Sequence, residues 1–210
     1  MSKHSDAYEE HYEDLYSIDF FSKLTKCRGW QKDVALRIAK EFNIQSVCDF
    51  GCASGFYLDG FREHGCFIKG YEYCYQEAKP FMNSDTAKWI SKANCMEPIF
   101  AVYNGYDMTM SIEVGEHLLP DSSDTFIGNL VRASKKYILF SSASPKEGKQ
   151  TGVGHINERP LKLWIEDFES YEFMYSEEDT KKVRKCFNDC EIGSHYKYCL
   201  SKEVTMFRRS

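Results

Sequence analysis

The segment Ser46-Val47-Cys48-Asp49-Phe50-Gly51-Cys52-Ala53-Ser54-Gly55-Phe56 constrains the fold more than any other part of this 210-residue chain. A short β-forming run, Ser46 to Phe50, ends beside an acid, two glycines four residues apart follow, and "FYLDGFREHG" then reads as a helix ending at Gly65. Glycines between a strand and a helix let the backbone bend sharply and approach a ligand closely. Two familiar motifs overlap this turn. Asp49-Phe50-Gly51 is the tripeptide of a protein kinase, but the 48 preceding residues carry no lysine-bearing strand, αC helix or catalytic loop, so that reading fails. A nicotinamide site would require G-x-G-x-x-G, and Ala53 occupies the middle slot, which weakens that reading too.

The flanking segments alternate between the two periodicities. From Arg28 to Phe42, Trp30, Val34, Ile38 and Phe42 recur on one side of a helix. "CFIKGYEY" reads as a second strand with Glu72 at its carboxyl end, Tyr106 to Val114 as another strand, and Asp124 to Lys135 as the helix after it. "KYILFSSA" is again a strand, and a polar loop with three glycines runs from Ser144 to Glu158. The helix "PLKLWIEDFESY" comes next, followed by a further helix and two strands, "HYKYCL" and "EVTMFRR". This order predicts a mostly parallel sheet covered by helices on both faces, with ligands at the carboxyl ends of the strands. Asp49, the glycine turn and Glu72 meet there. Glu72 is placed to accept hydrogen bonds from two ribose hydroxyls; the alternative is a surface acid at a strand end.

Composition bounds the class. Hydrophobic residues make up 42%, aromatics 15% and charged residues 28%, which predicts one globular domain over residues 1–210 with a buried core. No apolar run approaches the ~20 residues of a membrane span. The polar, acidic start "MSKHSDAYEEHYEDLY" shows no secretory signal. Nine cysteines, with Cys48/Cys52 and Cys186/Cys190 each four apart rather than in C-x-x-C pairs, read as small core residues of a reducing, cytoplasmic setting. A formal charge of −5 argues against a broad phosphate-binding face. The basic run from Lys181 to Lys185 follows "SEEDT" and reads as the solvated face of a helix capped by Ser176 or the nearby acids.

Asp49-x-Gly51-x-x-x-Gly55 after a strand, with an acid at the end of the next strand, resembles the S-adenosylmethionine site of class I methyltransferases. "GYDMTMSIEVGEHL" resembles their fourth strand and "VTMFRR" their closing antiparallel strand, so the resemblance covers most of the chain after Trp30. It implies an α/β, Rossmann-like sheet that is mostly parallel with an antiparallel last strand. It also implies a cofactor site at Asp49, Gly51, Cys52, Ala53, Gly55, Glu72, Tyr73, Asn94 and Glu113. Asn94, in "WISKANCMEPIF", stands where many relatives have an acid.

Glu113, Glu116 and His117 form E-x-x-E-H after the fourth strand. If the chain turns helical there, side chains three and four apart share a face, and two carboxylates with an imidazole suit a hard or borderline divalent ion. The other reading is two loop acids and a histidine packed beside the cofactor. E-x-x-E-H with a later histidine is similar to the metal site of small-RNA 2′-O-methyltransferases, and its first part to ubiquinone-pathway O-methyltransferases. That similarity implies Glu113, Glu116, His117 and His155 as ligands of magnesium or manganese, with Glu116, His117 and His155 acting on the acceptor. "GHINERPLKLW" also resembles a segment of methyltransferases that accompany glycosyltransferases. The expected activity is therefore methylation of a glycan sugar hydroxyl at a vicinal diol. RNA ribose methylation is the alternative, nucleic acid being disfavoured by the charge, and a non-catalytic cofactor-binding partner is the third. Within residues 1–29, Tyr8, Tyr12, Tyr16, Phe20 and Phe21 read as a lid over a sugar ring or as buried packing.

Overall fold

The computed structural model describes residues 15–100, 103–146, 152–190, 200 and 202–210. Its strands are β1 (Ser46–Phe50), β2 (Phe67–Glu72), β3 (Ile90–Lys92), β4 (Tyr106–Ile112), β5 (Ser134–Ser141), β6 (Phe173–Tyr175) and β7 (Thr205–Arg209). They form one seven-stranded sheet in the order β3-β2-β1-β4-β5-β7-β6. Every pair from β3 to β5 is parallel, and β7 runs antiparallel between β5 and β6. Val47, Cys48 and Phe50 of β1 are fully buried, as a central parallel strand covered on both faces requires.

The helices are α1 (Ile18–Leu24), α2 (Arg28–Phe42), α3 (Phe56–Glu63), α4 (Tyr75–Ala78), α5 (Ser84–Ala87), α6 (Ser123–Ala133), α7 (Leu161–Ser170) and α8 (Glu177–Asn188). The stripe expected on α2 is buried, from Trp30 through Val34 and Ile38 to Phe42. Asn43 ends that helix in the left-handed region at φ +50°, returning its N–H to the carbonyls of Ala39 and Lys40. On one sheet face, α2, α3 and α8 pack over Met108, Leu139 and Met206. On the other, α6 and α7 bring Phe126, Trp164 and Phe168 against Phe140 and Phe207.

The neighbours of β1 are β2 on one side and β4 on the other, so the chain reverses its winding there, and the carboxyl ends of β1 and β4 flank a crevice. Ser176 caps α8 by accepting the Asp179 N–H at 3.2 Å, and Lys181 and Lys182 pair with Glu177 and Glu178, so the basic run is a solvated face. The eight cysteines among the described residues are all buried. The expected strand "HYKYCL" lies outside the described residues except for Leu200, which is helical. β6 was not anticipated: three residues are too few to show a period, and its pairing with β7 is what makes it a strand. No helix among the described residues is long and apolar enough to cross a membrane.

Candidate active site

β1 leaves the sheet through a turn built on left-handed residues, Gly51 at φ +81°, Ala53 at φ +47° and Gly55 at φ +71°. Ala53 is an L-residue in a region that costs it energy, and Glu72 holds it there. One Glu72 oxygen accepts the Ala53 N–H at 2.8 Å and the other accepts the Cys74 N–H at 2.9 Å. Glu72 is 8% exposed, so it is a buried brace for the turn and not a surface acid. Burial raises its carboxyl above the usual range, opposed by the backbone N–H groups of Cys74, Ala53 and Tyr73. Asp49 ends beside it, 3% exposed and raised well above its ordinary value by burial and by the Glu72 charge.

These groups border a cavity of about 420 Å³, the size of a small-molecule site. Asp49, Gly51, Cys52 and Ala53 line one wall, Glu72 and Tyr73 the next, and Asn94 and Glu113 complete the expected set. Gly55 does not line it. Its place is structural, at the start of α3, where a Cβ would stand 2.7 Å from Ile90 Cδ1. Asn94 accepts the Met96 N–H at 2.9 Å, closing a local turn beside the cavity. From α1 and the residues before it, Tyr16, Phe20 and Phe21 line the same space, and Tyr16 meets Phe20 edge-on with centroids 4.9 Å apart. Phe21 is buried with Cys74 and Ala78. Tyr8 and Tyr12 lie outside the described residues.

The E-x-x-E-H segment does not continue as a helix. Glu113 takes φ +55°, and a single 3-10 turn, Gly115–His117, follows. Glu113 accepts the Ser141 hydroxyl at 2.7 Å and stays beside Glu116 on the cavity wall. Glu116, His117 and His155 converge, with ligand atoms all within 4.8 Å of one another. Glu116 is fully buried; Ser142 Oγ donates to its Oε2 at 3.1 Å, and Oε1 meets no donor among the described residues. Burial, reinforced by the Glu113 carboxylate, pushes Glu116 up to about 8.

His117 Nδ1 lies 3.1 Å from the Gly154 carbonyl oxygen, which can only accept, so Nδ1 carries the proton and Nε2 the lone pair. Burial lowers His117 to about 4, keeping it neutral near pH 7. The His117 and His155 rings meet edge-to-face with centroids 4.6 Å apart. The His155 loop is fastened to the 3-10 turn: the N–H groups of Ile156 and Asn157 both donate to the Glu116 carbonyl at 2.9 Å. Asn157 Nδ2 donates to the Gly115 carbonyl and to Ser123 Oγ, each at 3.1 Å. Sequence reasoning singled out neither Asn157 nor Glu158, whose Oε1 lies 2.5 Å from His155 Nδ1. The spacing His155-x-x-Glu158 was the available signal.

No protein-family model matches this chain, and no curated protein matches its sequence. Solved structures do match its fold. The 1,6-didemethyltoxoflavin-N1-methyltransferase of Burkholderia thailandensis, with bound S-adenosylhomocysteine, superposes with a TM-score of 0.65 at 11% identity, over 100% of this chain and 91% of its own. The magnesium protoporphyrin IX methyltransferase of Synechocystis PCC 6803, with bound SAH, gives 0.59 at 12% identity, over 89% and 84%. Human N-acetylserotonin methyltransferase in complex with SAM gives 0.58 at 10% identity, over 92% of this chain and 55% of its own. The chain has the class I methyltransferase fold. Open α/β sheets bind ligands in the crevice where the winding reverses, and here the glycine turn stands on the rim of the crevice at the β1 and β4 ends.

Proposed function

We propose that this chain is an S-adenosylmethionine-dependent O-methyltransferase acting on a sugar hydroxyl of a glycan, assisted by a divalent ion held by Glu116, His117 and His155. The observation that carries the reading is the convergence of these three side chains, within 4.8 Å, on the same cavity that the glycine turn and Glu72 border. The donor set fits a cation: one buried carboxylate with an oxygen that meets no donor among the described residues, and two imidazoles. Of the two ions expected, manganese tolerates two nitrogens beside one oxygen better than magnesium, which demands near-octahedral geometry and keeps its waters. When bound, such an ion lowers the pKa of a hydroxyl that is otherwise too weak an acid to attack at neutral pH.

The remaining work falls to the chain's own residues. The turn from Gly51 to Ser54 and the Glu72 carboxylate receive the methionine and ribose ends of the cofactor, and Asp49 offers a carboxyl that ionises once the cofactor's ammonium group sits beside it. Tyr16, Phe20 and Phe21 limit water on the opposite side. Transfer of the methyl group then needs in-line alignment of the acceptor oxygen. The cavity wall also bears on the acceptor: Asp49, Glu72, Glu113 and Glu116 line it, and no lysine or arginine does among the described residues. With a net charge of −5, that wall favours an uncharged carbohydrate over phosphate-bearing RNA.

Labelled cofactor supplied with neutral oligosaccharides or with RNA tests the reading. Chelation is expected to suppress transfer to the sugar and manganese to restore it, with His117→Ala and His155→Ala losing turnover while cofactor binding persists. An intact rate after exhaustive chelation, with His155→Ala inactive, makes His155 the general base for the hydroxyl proton. Transfer to RNA alone changes the acceptor class, and cofactor binding without transfer to either makes the chain a binding partner.

A further inference from the structure

Glu158 is a charged side chain with no exposure at all, in a loop at the mouth of the cavity. A carboxylate withdrawn completely from water is costly unless it is hydrogen-bonded and paired, so its surroundings show what the burial accomplishes. Its Oε1 receives the Gly152 N–H at 3.2 Å and faces His155 Nδ1 at 2.5 Å. The His155 side chain keeps 17% exposure and lines the cavity. Gly152 leaves the space that the imidazole fills: a Cβ there would lie 2.1 Å from His155 Cε1. The ring is thus flanked by a glycine, met edge-on by His117 and gripped at one nitrogen by a buried acid.

We infer that Glu158 is a positioning residue that fixes His155 with its proton on Nδ1, leaving the Nε2 lone pair for chemistry in the cavity. This rests on the proposed function only for what that lone pair serves, a cation or a hydroxyl proton. The inference extends beyond the pairing itself. His117 is held by its Nδ1 to the Gly154 carbonyl, three residues ahead of Asn157, so one short loop sets the tautomer of both imidazoles and leaves both with Nε2 as the electron-pair donor. A buried carboxylate fixes the orientation of the imidazole it holds, and removal of such outer partners typically lowers metal affinity or activity about 10–100-fold.

Nitrogen NMR of histidine-labelled wild-type protein, free of metal, should show His155 with a protonated Nδ1 and a bare Nε2. The opposite tautomer overturns the inference, whether or not any variant folds. Calorimetry with manganese alone then compares variants, with cofactor binding as the control for folding. Glu158→Ala should bind manganese roughly 10–100-fold more weakly and release the His155 tautomer. Glu158→Gln, whose amide oxygen can still accept the Nδ1 proton, should keep the tautomer and recover part of the affinity. Unchanged affinity and tautomer in Glu158→Ala reduce Glu158 to a loop fastener and refute the inference. If wild-type protein binds no manganese, the metal reading fails by itself, and the two tautomer measurements still decide the role of Glu158.

Discussion

Replacing Gly51 by alanine tests the turn that organises the site. The residue sits at φ +81°, and a Cβ built there would lie 2.4 Å from Val114 Cγ2 and 3.1 Å from Cγ1. Two costs follow. An L-residue forced into the left-handed region loses roughly 1–2 kcal/mol, and overpacking a buried contact of this kind costs roughly 1–3 kcal/mol. Val114 is 9% exposed and packs with Phe50 and Leu118, so it has little room to retreat. Gly51→Ala should therefore lose about 2–5 kcal/mol in urea unfolding, a large part of the roughly 5–15 kcal/mol that holds a domain together. The two costs separate in a double-mutant cycle. In a Val114→Ala background the clashing methyls are gone, and Gly51→Ala should cost only the conformational part, about 1–2 kcal/mol. Since Gly51 and Val114 both line the cavity, affinity for S-adenosylhomocysteine should fall in the single variant and partly return in the double. A cost below about 1 kcal/mol, or equal costs in the two backgrounds, would falsify the packing argument.

Glu72→Ala removes the acceptor for the Ala53 and Cys74 N–H groups and should weaken cofactor binding by about 1–3 kcal/mol, read by calorimetry. Unchanged affinity means that the turn holds its shape without that brace. In chelator-treated protein, stability should also depend on pH through Glu116, whose carboxyl stands at about 8 against an ordinary 4.5. The fold then binds the proton more tightly than the unfolded chain, so this contribution is full below about pH 4.5 and is lost as pH rises through about 8. The unfolding free energy from urea titrations across that window should fall by on the order of a few kcal/mol, and Glu116→Gln should flatten the slope. An identical slope in the variant assigns the pH dependence to other groups.

Local patterns carried most of the fold. The apolar stripe of α2, the β1 run, the glycines after it and the Ser176 cap are each written within a few consecutive residues, because helix period, strand burial and left-handed turns are properties of short segments. The placement of Asp49, the glycine turn and Glu72 at one cavity was legible for the same reason: Asp49 and the turn end one strand and Glu72 ends the next.

Tertiary contacts decided the rest. Glu113 and Glu116 look equivalent in E-x-x-E-H, yet Glu113 takes the hydroxyl of Ser141, from the neighbouring strand and 28 residues on, while the tight group of ligand atoms is formed by Glu116 with His117 and His155. Asn157 reaches back 42 residues to the Gly115 carbonyl and so brings His155 to the 3-10 turn. Which acids share a site, which carbonyl grips His117, and that no lysine or arginine reaches the cavity among the described residues all depend on groups far apart in the chain. No period or spacing encodes them. They exist only once the sheet has closed and the loops after β4 and β5 have been pressed against each other.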